Sequence, residues 1–202
     1  MKGTPLLTTL LLLTLAAATA AGAATPRFSG AESASLLAYA RGCLVARLDG
    51  ASPPPPPACA AKRQQACFVT FFKSRRVVAC FGGFIPRRAT LAEEIVENIR
   101  LALKNDHRSR TLNRETALAT GIQITFPLAQ PERVTDYSAI DPLREGMFVE
   151  GGDSGVAFVP GEARTAGWAF RQALDRLGVN DPSRVRLYRF RAVAISTRNS
   201  DR

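Results

Sequence analysis

Apolar positions recur at helical spacing in some stretches of the chain and alternate at strand spacing in others. Over residues 31–48 the stripe is Leu36, Leu37, Ala40, Leu44 and Leu48, with Ser29 and Glu32 in capping-box positions ahead of it and Asp49-Gly50 closing it. Cys43 falls beside that stripe and is expected to face inward. Over residues 90–104, Leu91, Ile95, Ile99 and Leu103 lie one turn apart behind Thr90 and Glu93, a second capping box, which predicts a helix packed on a sheet. A third helix is predicted over 165–177, apolar at Trp168, Ala169, Phe170, Ala173, Leu174 and Leu177, with Gly178 as its stop. Trp168 is expected in the core.

The alternating segments read as strands. Residues 67–72 and 77–82 flank the charged Lys73-Ser74-Arg75-Arg76 and predict a hairpin. Pairing Phe72 with Val77 sets Cys67 opposite Gly82 and Cys80 on the same face. Residues 121–126 form a half-buried strand ended by Pro127, and 146–149 with 156–159 predict a second hairpin through a Gly-rich turn at 151–155. A last strand is expected over 184–195. Its arginines change parity between Arg186 and Arg189, which predicts a one-residue bulge near Tyr188, and they read as a solvated, charge-protected strand rather than an anion-binding strip. The prolines of 51–57 permit only an extended connector.

Composition changes the picture at the amino terminus. Met1-Lys2, the apolar run from Leu6 to Ala24 and the small residues at its end read as a signal peptide over 1–23, cleaved after Ala20 or Ala23. Residues 24–202 then form a single domain, expected in the periplasm or secreted, with no second apolar stretch long enough to span a membrane. Loss of Lys2 takes the formal charge from +10 to +9. Such an excess invites a nucleic-acid reading, but export argues against it and leaves solubility, or an acidic partner or membrane surface.

The four cysteines, Cys43, Cys59, Cys67 and Cys80, are candidates for disulfides in an oxidising compartment, with three full pairings open. Their spacing carries no metal signature, and no cofactor motif is present. Gly152-Asp153-Ser154-Gly155 is similar to the nucleophile segment of trypsin-like proteases. The interval from His107 to Ser154 is too short to build two barrels, so the match reads as a hairpin tip. Cys80 carries more interest, because it ends an apolar strand and precedes Gly82-Gly83, where missing side chains let a ligand come close. A nucleophilic role needs a lowered thiol pKa, for which Arg75, Arg76, Arg108 or the helix start at Thr90 are the available sources. His107 is the sole histidine and lies between Asp106 and Arg108.

Taken in order, these pieces resemble the AMMECR-one domain family over about residues 27–196. Phe68-Val69-Thr70-Phe71 is similar to the family's Phe-Val-Thr-Leu strand, and Val77-Val78-Ala79-Cys80-Phe81-Gly82 to its Leu-Arg-Gly-Cys-Ile-Gly segment. Leu103 to Ser109 resembles the Ala-Ala-Phe-x-Asp-Pro-Arg-Phe segment. Ala157-Phe158-Val159-Pro160 and Gly167-Trp168 match the Thr-Phe-Leu-Pro and Gly-Trp that follow. The chain departs from the pattern at Val78, where the motif has arginine, and at Ala79, where it has glycine. Cysteine, Gly82, Asp106 and Arg108 are retained.

The resemblance implies an α+β fold, an antiparallel-rich sheet flanked by helices, in two lobes with a cleft near the cysteine motif. Relatives are associated with Memo-like and radical-SAM proteins, which implies a modification or redox role. The residues support two readings. In one, Gly82, Gly83, Asp106 and Arg108 bind a small anionic or peptide ligand, with Cys80 and His107 as candidate catalytic thiol and acid or base. In the other, a disulfide-stabilised, non-enzymatic module docks its basic surface on an acidic protein or membrane.

Overall fold

A computed structural model describes residues 27–74 and 76–197. The expected signal peptide lies outside the described residues. Helix α1 (Gly30–Leu48) carries the predicted capping box, Ser29 receiving the Glu32 amide and the Glu32 carboxylate receiving that of Ser29. The proline segment runs extended and packs back on α1, where Gly42 leaves room: a Cβ there would meet Pro54 Cγ at 2.9 Å. A short helix α2 (Ala58–Ala61) leads into the first hairpin, β1 (Phe68–Lys73) and β2 (Arg76–Gly82). Helix α3 (Leu91–Asn105) follows, capped by Thr90 and Glu93 as its sequence predicts.

The polar stretch after α3 makes a 3-10 turn (His107–Thr111), and a short helix α4 (Arg114–Ala119), which was not foreseen, follows. They lead to β3 (Gly121–Pro127) and β4 (Glu132–Val134). The second hairpin, β5 (Gly146–Gly151) and β6 (Ser154–Phe158), extends closer to its tip than the sequence suggests, and Gly152 at φ 59° opens a two-residue turn. Helix α5 (Ala166–Leu177) ends on Gly178 at φ 66°, the left-handed stop that glycine adopts without strain. Strands β7 (Arg186–Phe190) and β8 (Ala192–Ser196) are the last elements among the described residues.

The expected α+β class is borne out. The strands form two antiparallel sheets, in the orders β2-β1-β3-β8 and β4-β7-β5-β6. Helices α1 and α3 cover one face of the first sheet over a core that includes Leu36, Leu44, Val69, Phe71, Ile95, Ile99, Ile122 and Phe126. Helix α5 covers the second sheet over Met147, Val149, Phe158 and Leu187. A third, mostly phenylalanine cluster, with Phe68 from the first sheet, Phe148 and Phe190 from the second and Phe84 between, joins the two.

Three expectations are corrected. The single last strand is two strands in different sheets, parted at Arg191; the register through β7 is unbroken, so no bulge lies near Tyr188, and Arg186 and Arg189 sit on opposite faces of the same strand. The bulge lies instead in the first hairpin. Phe72 pairs with Val77 as expected, but Phe71 pairs with Ala79, leaving Val78 unpaired and Thr70 opposite Cys80. That extra residue reverses the faces beyond it: Cys67 points with Val69, Phe71 and Ala79 into the helical core, whereas Cys80 shares the opposite face with Phe68 and Thr70. A Cys67 to Cys80 bridge is therefore misdirected, and all four candidates, Cys43, Cys59, Cys67 and Cys80, are free thiols. Trp168, expected in the core, is 43% exposed, because the inward stripe of α5 is Ala166, Ala169 and Ala173.

Candidate functional site

The face of β2 that carries Cys80 looks away from the helices of the first sheet, and a cavity of about 980 Å³ opens against it. The candidate catalytic and ligand-binding residues, Cys80, Gly82, Gly83, Asp106, His107 and Arg108, all line this cavity, whereas Cys43, Cys59 and Cys67 do not. The second sheet and α5 contribute the opposite wall, including Phe148, Gly155 and Arg176. Ser154, dismissed above as part of a hairpin tip, lies at that tip and also borders the cavity.

Asp106 organises the site. As cap of the 3-10 turn, its carboxylate accepts the Arg108 amide at 3.1 Å, and across the gap to β2 it accepts the Cys80 amide at 2.9 Å. The Arg108 guanidinium grips the same carboxylate through Nε at 2.9 Å and Nη2 at 2.7 Å. Burial pushes the Asp106 carboxyl up, but the Arg108 guanidinium and the two amides outweigh it and hold the group below its ordinary range. Arg108 also reaches Glu162 at 3.4 Å, at the end of the second hairpin. Burial works against the Arg108 charge, and Asp106 and Glu162 more than offset it. The result is a fixed cation whose position is set by two carboxylates.

Glu162 receives the Val159 amide at 3.2 Å, yet burial dominates and raises its pKa against the pull of Arg108 and Arg176. Arg176 is a different cation. It lies over the Phe158 ring at 4.8 Å and, among the described residues, forms no salt bridge. Burial and repulsion from Arg108 lower its pKa.

Cys80 does not meet the electrostatic requirement for a resting thiolate. Burial pushes its thiol up to about 12, and the Glu162 charge adds to this; a hydrogen bond with Thr70 and the Arg108 charge oppose it without prevailing. Its sulfur lies 3.2 Å from Thr70 Oγ1. His107 is exposed, and no hydrogen bond among the described residues links it to Cys80.

The two glycines differ in kind. A Cβ on Gly82 would meet Phe68 Cα at 2.4 Å and the Cys67 oxygen at 2.5 Å, so this glycine is demanded by backbone approach between β1 and β2. A Cβ on Gly83 would meet nothing nearer than the Ile85 oxygen at 3.9 Å. Close packing therefore does not demand glycine at position 83, whose N–H donates to the Cys67 oxygen at 3.3 Å.

Sequence reasoning missed the α5 contribution. Trp168, Gln172 and Arg176 recur every four residues, hence on one side of the helix, and that spacing was legible beside the apolar stripe. Gln172 and Arg176 face the Cys80 cavity. Val78, where the resembled motif has arginine, is the bulged residue and lines a neighbouring cavity.

Comparison with known proteins agrees with this architecture. The structure is similar to the crystal structure of the uncharacterized protein PH0010 from Pyrococcus horikoshii, with a TM-score of 0.61 over 79% of this chain and 88% of that one; at 17% identity the likeness is one of fold. No curated protein matches the chain. The family model described as AMMECR1 matches residues 37–195, from α1 to β8 and so across both sheets and every residue of the cavity, and on that match the chain belongs to the AMMECR1 family.

Proposed function

We propose that this domain binds a small anionic ligand, a carboxylate, a phosphate or an acidic peptide, in the cavity beside Cys80. The observation that carries the reading is the set of charges there: Arg108 is fixed by two carboxylates, while Arg176 enters the same cavity without an ion pair among the described residues. A buried or half-buried cation without a partner gains most from a ligand that brings the missing charge. Gly83 supports the reading only by leaving space at the cavity wall, since its own N–H donates to the Cys67 oxygen at 3.3 Å.

In this reading Cys80 is a neutral wall and weak S–H donor. Thiol chemistry at Cys80, with His107 as acid or base and Arg108 as anion holder, is the lesser reading, because burial holds the sulfur protonated. Calorimetry with citrate and inorganic phosphate separates the two. Arg176→Gln is expected to weaken binding by about tenfold, the scale of one lost charge-assisted hydrogen bond, and Cys80→Ser to leave it unchanged. Equal affinity in Arg176→Gln contradicts the reading.

Export belongs to the proposal and is supported by the apolar leader. Amino-terminal sequencing of protein recovered outside the cytoplasm is expected to begin at Ala21 or Ala24. A pool that remains entirely cytosolic and retains Met1 contradicts it.

A further inference from the structure

A second cavity, of about 850 Å³, adjoins the first and shares Arg108, Gln172 and Arg176 with it. Its chemistry is more one-sided. Lys73, Arg76, Arg108 and Arg176 line it against the single carboxyl of Glu162. Lys73 and Arg76 are cross-strand partners at the end of the first hairpin, and like charges placed directly opposite each other destabilise a strand pair. Neither forms a salt bridge among the described residues, nor does Arg176. The fold itself therefore leaves these charges uncompensated.

Trp168 stands among these cations. Its ring meets Phe158 edge-on at 5.8 Å and is otherwise open enough to leave the residue 43% exposed. An indole bordering a basic concavity offers a π surface for a flat ring, while several separated cations favour a ligand with more than one negative charge.

We propose that this second cavity binds an organic polyanion carrying an aromatic ring, the chemistry of a nucleoside di- or triphosphate, with its ring on Trp168 and its phosphates held by Lys73, Arg76 and Arg176. The assignment goes beyond the reading of the Cys80 cavity, with which it has only Arg108, Gln172 and Arg176 in common. A mononucleotide fits the concavity; a polymer or a lipid surface would meet the exposed hairpin end instead and would not need the indole.

Trp168 is the sole tryptophan of the sequence, so its fluorescence reports the site directly. The experiment titrates the full-length protein with adenosine triphosphate, tripolyphosphate and adenosine, with calorimetry where the indole is replaced. Saturable quenching by adenosine triphosphate is expected, weakened by about tenfold or more in the K73Q/R76Q double variant and by about fivefold or more in Trp168→Leu. Tripolyphosphate is expected to bind more weakly than adenosine triphosphate. Lys73, Arg76 and Trp168 are exposed, so the thermal midpoint should hold in these variants. Absence of saturable binding, equal affinity for tripolyphosphate, or indifference to K73Q/R76Q each overturns the proposal. Citrate binding that persists through these failures leaves the Cys80 cavity reading standing. Citrate binding that is lost while adenosine triphosphate still depends on Lys73 and Arg76 removes that reading and leaves this one.

Discussion

Gly82 and Gly83 are adjacent and chemically identical, yet the structure asks different things of them. Gly82→Ala forces a Cβ into the β1 backbone, and overpacking of this kind costs about 1–3 kcal/mol. Gly83→Ala meets open space and is expected to leave stability unchanged while narrowing the approach to the cavity. Urea unfolding of the two variants checks this; equal destabilisation contradicts it. The thiols provide a second test at this scale. Burial pushes Cys43 up to about 11, and Cys67 and Cys80 up to about 12, from an ordinary 9.0. Between those values the folded state holds protons that the unfolded chain has released, so stability is full below pH 9.0 and is lost as the pH rises toward 12. Replacing Cys67 and Cys80 by alanine should flatten the alkaline limb of a pH-stability profile, whatever the variant loses in absolute stability. At the residue scale the sequence was most legible: Cys80, Asp106 and Arg108 do lie together. It was least legible for Trp168, where an apolar side chain on a helix was assigned to the core although the small alanines beside it make the contact.

Among the elements, the segment between β2 and α3 depends on one buried carboxylate. Glu94, fully buried on α3, accepts the Arg87 and Arg88 amides at 2.8 and 3.0 Å and the Arg87 guanidinium at 3.2 Å. Arg87 also bonds Asn98, whose amide donates to the Cys67 oxygen at 2.9 Å. This network holds the chain that carries Gly83 and Phe84 past the cavity. Glu94→Gln turns one acceptor oxygen into a donor facing other donors, and a loss of about 1–3 kcal/mol is expected. Hydrogen exchange should quicken at the Arg87 and Arg88 amides; unchanged exchange contradicts the assignment. Nothing in the sequence singles out Glu94 from an ordinary helix-start acid, because its partners Arg87 and Arg88 precede it in a loop with no periodic pattern. The Val78 bulge was hidden for a related reason. A hairpin's register follows from pairing energies on both faces, and a period-two reading of one strand cannot reveal an extra residue in it.

Over the whole molecule, the two sheets are bridged by a phenylalanine cluster, by the Arg108–Glu162 ion pair and by the chain crossing at Arg191. The α+β class and the capped helices were readable because periodicity and caps are local signals. The division of the final segment between two sheets was not, since both strands alternate and only tertiary pairing separates them. The central claim is that the cavity between Cys80 and α5 is an anion site, and a ¹H–¹⁵N correlation spectrum titrated with citrate tests it most directly. Saturable shifts concentrated at the amides of Gly82, Gly83 and Arg108 and at the Arg176 side chain, with the amide shifts moved to about tenfold higher citrate in Arg176→Gln, are the predicted result. Shifts scattered over the basic surface, fading with added salt and indifferent to Arg176, would contradict it.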